Sequence, residues 1–341
     1  MPVSPASYVH RLTTLTALTA TLVGLALVSF SCGAANATTA TTGTSGTSGT
    51  SGTSGTGGTT GATGPTSDTS LMPYFIAPTL CSDGSGPDCT KLRLGNSYLS
   101  TSAPAVGKLF SCVAGNANAP GSITSKITWI DFTAGTWNLL RKPFLPARAG
   151  ATAGTITVTD QSGTRTIQSN NLPVDAKMGD WPMTKYAVLS AIDGNPGTPA
   201  ARSVNYALQS PATVAASATC VGMGAIGVTL NGVVLYDAID ARGNDAVANE
   251  IVDVYGGHPA MTDYHYHSVP ERLDPSPGSD GHSGIIGYIR DGFPIYGYHG
   301  VGGAELTNAD LDECHGHSHG TIGYHYHATM EYPYTIGCYR G

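Results

Sequence analysis

Residues 226–236 read IGVTLNGVVLY and residues 286–296 read IGYIRDGFPIY, two apolar stretches that match in outline at an offset of 60. In each, strand-forming residues flank Asn231-Gly232 or Asp291-Gly292, dipeptides that supply positive φ at both corners of a type I′ turn, so each stretch is expected to be a β-hairpin. Pro294, in the second return strand, points to an edge position, because proline cannot donate to a ladder. The same offset of 60 carries Tyr264-His265-Tyr266-His267 onto Tyr324-His325-Tyr326-His327, and an offset of 59 carries Asp253 and Gly257-His258 onto Asp312 and Gly316-His317. Each copy therefore reads hairpin, acid, Gly-His, YHYH. Three features at one spacing predict a duplicated supersecondary unit, with repeats at 226–270 and 286–333. Its copies are expected to pack about a pseudo-two-fold relation, because neither buries its apolar face alone.

The rest of the chain is β-like and less regular. Residues 122–132, 154–168 and 202–209 are rich in Thr, Ile and Val and are broken by Gly, Pro and Asn at short intervals. Helical periodicity is missing apart from a short candidate at 244–251 and its counterpart at 307–313, which opens on a Thr or Asn suited to capping. The fold class is therefore mainly β, a hairpin-rich and disulfide-bonded domain with few short helices.

Residues 1–37 carry one arginine, Arg11, followed by an apolar run over 15–30, the pattern of an export signal. Cys32-Gly33 offers a lipid-anchor site, and Ala35-Asn36-Ala37 offers a cleavage site in its place. Residues 38–70 are almost wholly Thr, Gly, Ser and Ala, a composition for a flexible linker. A β-rich N-terminal part is expected over 71–219 and the duplicated module over 220–341. The expected location is extracytoplasmic: periplasmic, at the cell surface or secreted, with or without a lipid anchor. Cys81, Cys89, Cys112, Cys220, Cys314 and Cys338 remain after export, an even count that in an oxidising compartment favours disulfides. Sequence leaves every pairing open. Proximity favours Cys81–Cys89, Cys112–Cys220 and Cys314–Cys338. Only 11% of the chain is charged and the net charge is −7, with no basic patch, which argues against a nucleic-acid partner.

Ten of the eleven histidines lie after residue 257. On a strand, His265 and His267 share one face and Tyr264 and Tyr266 the other, and the second copy repeats this with His325 and His327. Adding His258 or His317 from the preceding turn gives three imidazoles per copy, a set suited to zinc or copper with one position open. Neutral imidazole places copper ahead of zinc, while calcium or magnesium would want oxygen ligands. Residues 258–341 hold ten acids against three arginines and no lysine, a balance that concentrates cations. The four YHYH histidines are expected to face a common cavity, with His258 and His317 at its edge. Asp253 and Asp312 are expected to fix histidine tautomers behind the ligands, with Tyr264 and Tyr324 packed beside them. His282, His299, His315 and His319 have no counterpart in the other copy and are expected at the surface or behind the ligands.

These residues resemble the YHYH domain proteins. The likeness rests on IGVTLNGVVLYDA, the GGHP at 256–259, GYIRDGFPIYGY and the ending YHYHATMEYPYTIGCYRG. It is strong over about 220–341 and weaker from about residue 169, where SNNLPVDAKMGDWP resembles an upstream family segment. That segment often carries a histidine shortly after its proline. Here Val174 and Asp175 follow Pro173, so a ligand from this segment would have to be Asp175. The resemblance implies domain identity and carries no reaction. Two other functions stay open: a surface domain binding a glycan or protein through its tyrosine-rich face, and a hydrolase using a His/Asp pair, for which no Gly-x-Ser-x-Gly elbow stands out. Whether the protein is an enzyme, and which residues would be catalytic, the sequence leaves undecided.

Overall fold

The structure is a computed structural model that describes residues 75–82, 84–275 and 277–341. The export signal, the linker and Cys32 lie outside the described residues. Before the two hairpin stretches the chain forms short pieces: Leu92–Arg93 (β1), Leu99–Ser100 (β2), Leu109–Phe110 (β3), Ile130–Asp131 (β4) and Thr136–Trp137 (β5), paired in the orders β1-β5-β4 and β2-β3. Residues 122–132, expected to be β, contribute only β4 and a 3-10 turn at Thr124–Lys126. Residues 154–168 and 202–209 give a regular antiparallel sheet of Ile156–Gln161 (β6), Thr164–Ser169 (β7) and Val204–Gln209 (β8). A six-residue helix, Ala187–Ile192 (α1), was not expected. It buries only Leu189 and Ile192, too few positions to leave a periodic signal.

Eight further strands make one sheet. They are Ala225–Thr229 (β9), Val234–Tyr236 (β10), Gly257–Ala260 (β11), Asp263–Tyr266 (β12), Ile285–Ile289 (β13), Pro294–Tyr296 (β14), Gly316–His319 (β15) and Gly323–His327 (β16). Their order is β11-β12-β10-β9-β13-β14-β16-β15. In the first half β9–β10 and β11–β12 are antiparallel and β10–β12 parallel. The second half pairs the same way through β13–β14, β15–β16 and β14–β16. The halves meet at β9–β13, where Val228 faces Tyr288, Gly227 faces Ile289 and Thr229 faces Gly287. The three pairs of this seam are centred on Val228 and Tyr288, positions 60 apart in the chain.

Two expectations about the hairpins are corrected. Asn231 and Asp291 do not take positive φ; only Gly232 (φ 92°) and Gly292 (φ 94°) do. The amide of Gly232 donates to Thr229 O at 3.0 Å and the Thr229 amide to Val233 O at 2.9 Å, so the loop has three residues with glycine in the left-handed position. Because Leu230 and Arg290 belong to the loops, Asn231 and Asp291 stand one place further along than a two-residue turn requires. Pro294 is not on an edge strand either, since β14 lies between β13 and β16. It is tolerated as the first residue of its strand: the pairing with β16 begins only at Ile295, so no ladder amide is missing.

The two helical expectations held in short form. Asp245 caps Ala246–Asn249 (α2), accepting from the Ala248 amide at 3.1 Å, and Thr307 with Asp310 forms a capping box on a 3-10 turn at Asn308–Asp310. The main core joins Trp129, Trp137, Leu145, Leu235, Ile251 and Tyr334 with the inner face of the sheet. Ile167, Leu208 and Val228 form a smaller cluster where β6–β8 pack on the β9–β13 seam. Disulfides join Cys81–Cys89, Cys112–Cys220 and Cys314–Cys338, the pairs proximity favoured. They suit an oxidising, extracytoplasmic setting. Among the described residues no helix is long and apolar enough to cross a membrane.

Candidate metal centres

Strand alternation sets the two faces of the YHYH segments. Tyr264, Tyr266 and Tyr326 are completely buried in the core, with Tyr324 partly so. The Tyr264 hydroxyl donates to Asp253 Oδ2 at 2.7 Å, Tyr324 to Asp312 Oδ2 at 3.0 Å and Tyr326 to Asp291 Oδ2 at 2.6 Å, while Tyr266 accepts from Asn231 Nδ2 at 3.2 Å. The hairpin residues Asn231 and Asp291 thus hold the second tyrosine of each motif, and Asp253 and Asp312 the first. Asp253 and Asp312 also accept from the amides of Gly257 and Gly316. They organise the tyrosine face rather than the histidine tautomers expected of them, because they lie on the far side of the strand from the imidazoles.

The Gly-His pair lies on a strand, not in a turn. Register puts His258 directly opposite His265 and His317 directly opposite His325. The glycine before each is required by packing: a Cβ on Gly257 would stand 2.3 Å from Tyr264 Cζ, and one on Gly316 2.5 Å from Tyr324 Oη. The tyrosine ring of the neighbouring strand lies over the glycine and leaves the next residue, the histidine, on the opposite face.

Two histidine groups result. His258, His265 and His267 have ring nitrogens all within 4.8 Å of one another, and so do His282, His317, His325 and His327. The single common cavity expected for the YHYH histidines is not formed. With β9 and β13 at the centre of the sheet, β12 and β16 lie five strand positions apart, roughly 24 Å along the sheet at ~4.8 Å per strand. His282, from the segment before β13, was passed over because the first copy has no equivalent, yet it is buried in the second group. His319 stacks on His282 with ring centroids 5.7 Å apart. His315 is a buried structural residue, bonded to His327 O, Thr335 O and Thr329 Oγ1, and His299 Nδ1 bonds Asp274 at 3.0 Å. Asp175 pairs with Arg272 Nε at 3.3 Å and joins neither group.

The tautomers follow from the partners. His282 Nδ1 faces Ser283 O at 2.7 Å, His325 Nδ1 faces Gly323 O at 2.9 Å, and His327 Nδ1 faces Gly297 O at 2.7 Å. A carbonyl only accepts, so each Nδ1 carries the proton and each neutral ring presents a bare lone pair at Nε2. Those Nε2 atoms are 3.1 Å (His325–His327), 3.1 Å (His327–His282) and 3.2 Å (His282–His325) apart, with His317 Nε2 3.2 Å from His325 Nε2. In the first group His265 Nδ1 bonds Asp263 O at 2.8 Å and His267 Nδ1 bonds Asp237 O; Nε2 separations are 3.1 Å for His265–His267 and 3.1 Å for His267–His258. His258 Nδ1 is buried and has no hydrogen-bond partner among the described residues. Tyr236 stacks on His265 at 3.8 Å between centroids and Tyr296 lies 4.7 Å from His325, a support the sequence did not flag.

Burial lowers His267 and His325 to about 4 and His327 to about 2, against opposing carbonyl bonds, and takes His258 and His265 well below their usual range, which favours the neutral ring at these five. Converging acceptors repel unless a cation stands among them. Two nitrogens bound to one ion at ~2.05 Å lie about 2.9 Å apart at a right angle and about 3.4 Å apart at the tetrahedral angle. The observed 3.1 and 3.2 Å fall between, so both groups could hold a metal ion.

A mainly β, disulfide-bonded domain whose one sheet carries two such histidine groups is the class of protein that fold and site define. The family model described as YHYH protein matches residues 205–305, and the chain is a YHYH domain-containing protein. The match spans β8 to just beyond β14, so it includes all three histidines of the first group and, of the second, only His282. No curated protein and no solved structure matches the chain.

Proposed function

We propose that this is an exported, extracytoplasmic metal-binding protein that holds two transition-metal ions, one per histidine group, on a duplicated YHYH unit. The observation that carries this reading is the triangle of His282, His325 and His327, whose three Nε2 lone pairs converge at 3.1 and 3.2 Å with every Nδ1 proton committed to a carbonyl. A buried hydrogen-bond network would alternate donors and acceptors, and this set has acceptors only. All-imidazole donors favour copper first and zinc second. A bound ion would supply a Lewis acid or an electron-transfer centre; the chain's own contribution is to fix ring orientation through main-chain carbonyls and to keep the imidazoles unprotonated. The low charge, the disulfides and the signal-like residues 1–37 support export, and Cys32 is the site at which a lipid anchor would attach.

The test is elemental analysis of protein made through an oxidising compartment and titrated with copper and zinc. Two ions per wild-type chain are expected, one for a folded His265→Ala/His267→Ala variant and one for His325→Ala/His327→Ala. No uptake by wild type, or two ions in either folded variant, overturns the assignment.

A further inference from the structure

The two groups are built differently on the side away from the sheet. In the second, His282 supplies a further imidazole. Sixty positions earlier the chain has Gly222, and a side chain there would meet no atom within 4 Å. The first group instead borders a cavity of about 460 Å³ shared by His258, His265, His267, Asp193, Asp240 and Glu250.

The three acids of that cavity are not alike. Asp193 is engaged by the amides of Ile251 (2.8 Å) and Asn195 (3.2 Å), and Asp240 by the amides of Arg242 (2.9 Å) and Asn244 (2.8 Å) and by Arg242 Nε (3.4 Å). The mostly buried Glu250 carboxyl lies 3.5 Å from His258 Nε2, and burial together with the nearby Asp193 and Asp240 holds its pKa well above the usual carboxylate range. Its position along the chain is fixed from behind, where Lys142 Nζ donates to its main-chain carbonyl. Glu250 is not in the set of nitrogens that lie within 4.8 Å of one another. Donors on one ion at ~2.05 Å are at most about 4.1 Å apart, so Glu250 stands beside the donor set rather than in it. A carboxyl group just outside the donor set, facing an open side, is placed to hydrogen-bond whatever occupies that side.

Building on the metal reading above, we propose that the first group binds its ion with one exchangeable position open to the cavity, while His282 closes the second group. The position takes water or a small hydroxyl compound that hydrogen-bonds Glu250. The first centre is then the one at which a small molecule can be bound, and the second is a closed four-imidazole site.

Azide titration of the copper(II)-loaded protein tests this, read by the azide-to-copper absorption, with copper content measured on the same samples. One azide per chain carrying two coppers is expected. Glu250→Gln, which keeps the shape and fixes an N–H donor where the carboxyl stands, should tighten azide binding about tenfold. His282→Ala, checked for folding by circular dichroism, should raise the count to two. Two azides or none on wild type with both coppers bound, or unchanged affinity in Glu250→Gln, overturns the proposal. A wild-type chain that takes up no copper overturns the metal reading beneath it, a failure told apart by the copper assay alone.

Discussion

Within the YHYH motif the residues divide by side of the strand, and the division separates stability from binding. Tyr264 is completely buried and its hydroxyl reaches Asp253, itself engaged by Gly179, Tyr255 and Gly257 amides and by Trp181. Tyr264→Phe should therefore lower stability by about 1–3 kcal/mol, the range for leaving a buried acceptor short of a donor, while metal content stays that of wild type. Denaturant unfolding and elemental analysis of one preparation check both halves; loss of metal in a folded variant would contradict the division. Gly257→Ala and Gly316→Ala should both destabilise, since a Cβ at Gly257 would meet the enclosed Tyr264 ring at 2.3 Å and one at Gly316 would meet Tyr324 Oη at 2.5 Å and the main-chain oxygen of His325 at 2.7 Å. Melting temperatures of the two variants against wild type decide it. The pairing of histidines on one strand face was legible in the sequence, since alternation follows from the backbone. His282 was not, because comparing two copies selects only what both contain, and the first copy has glycine at that place. The tautomers of His267 and His327 were illegible as well: they depend on carbonyls of Asp237 and Gly297, 30 residues from the rings they orient.

Among the elements, the hairpins were readable from Asn-Gly and Asp-Gly, and the turn geometry was not. Whether the loop has two residues or three depends on which flanking pair closes the ladder, here Thr229–Val233 and Ile289–Phe293. The order of strands also lay beyond the motif. Nothing in a repeated unit says which strand of each copy meets the other, and the β9–β13 seam is what separates the histidine groups. The second group leans on a further element, the Cys314–Cys338 bridge, which ties the start of β15 to the C-terminal segment beneath Tyr326. Replacing both cysteines with serine should lower stability by about 2–5 kcal/mol. The second group should lose affinity while the first keeps its ion. Metal titration of the double variant checks this, and equal weakening of both groups would show that the halves do not respond separately.

At the scale of the whole molecule, the disulfides, the proposed export and the proposed metal retention fit one setting. Ordinary histidines lose bound metal as protons compete near pH 6.5. Burial lowers the folded-state pKa of His267 and His325 to about 4, so protonation gains on the rings only as pH falls through that value. Occupancy should therefore persist as pH drops below 6.5 and fall only toward pH 4, well below the range in which an exposed histidine cluster releases its ion; metal released on dialysis across this range gives the profile, and release centred near pH 6.5 would contradict it. The domain class was written in the composition and the repeat, whereas the number of centres had to wait for the fold. The most direct test of two ions on one sheet is anomalous scattering from crystals of the copper- or zinc-loaded protein. The account predicts two peaks per chain, one among the Nε2 atoms of His258, His265 and His267 and one among those of His282, His317, His325 and His327. A single peak shared between the halves, or none at either group in crystals of fully loaded protein, would contradict it.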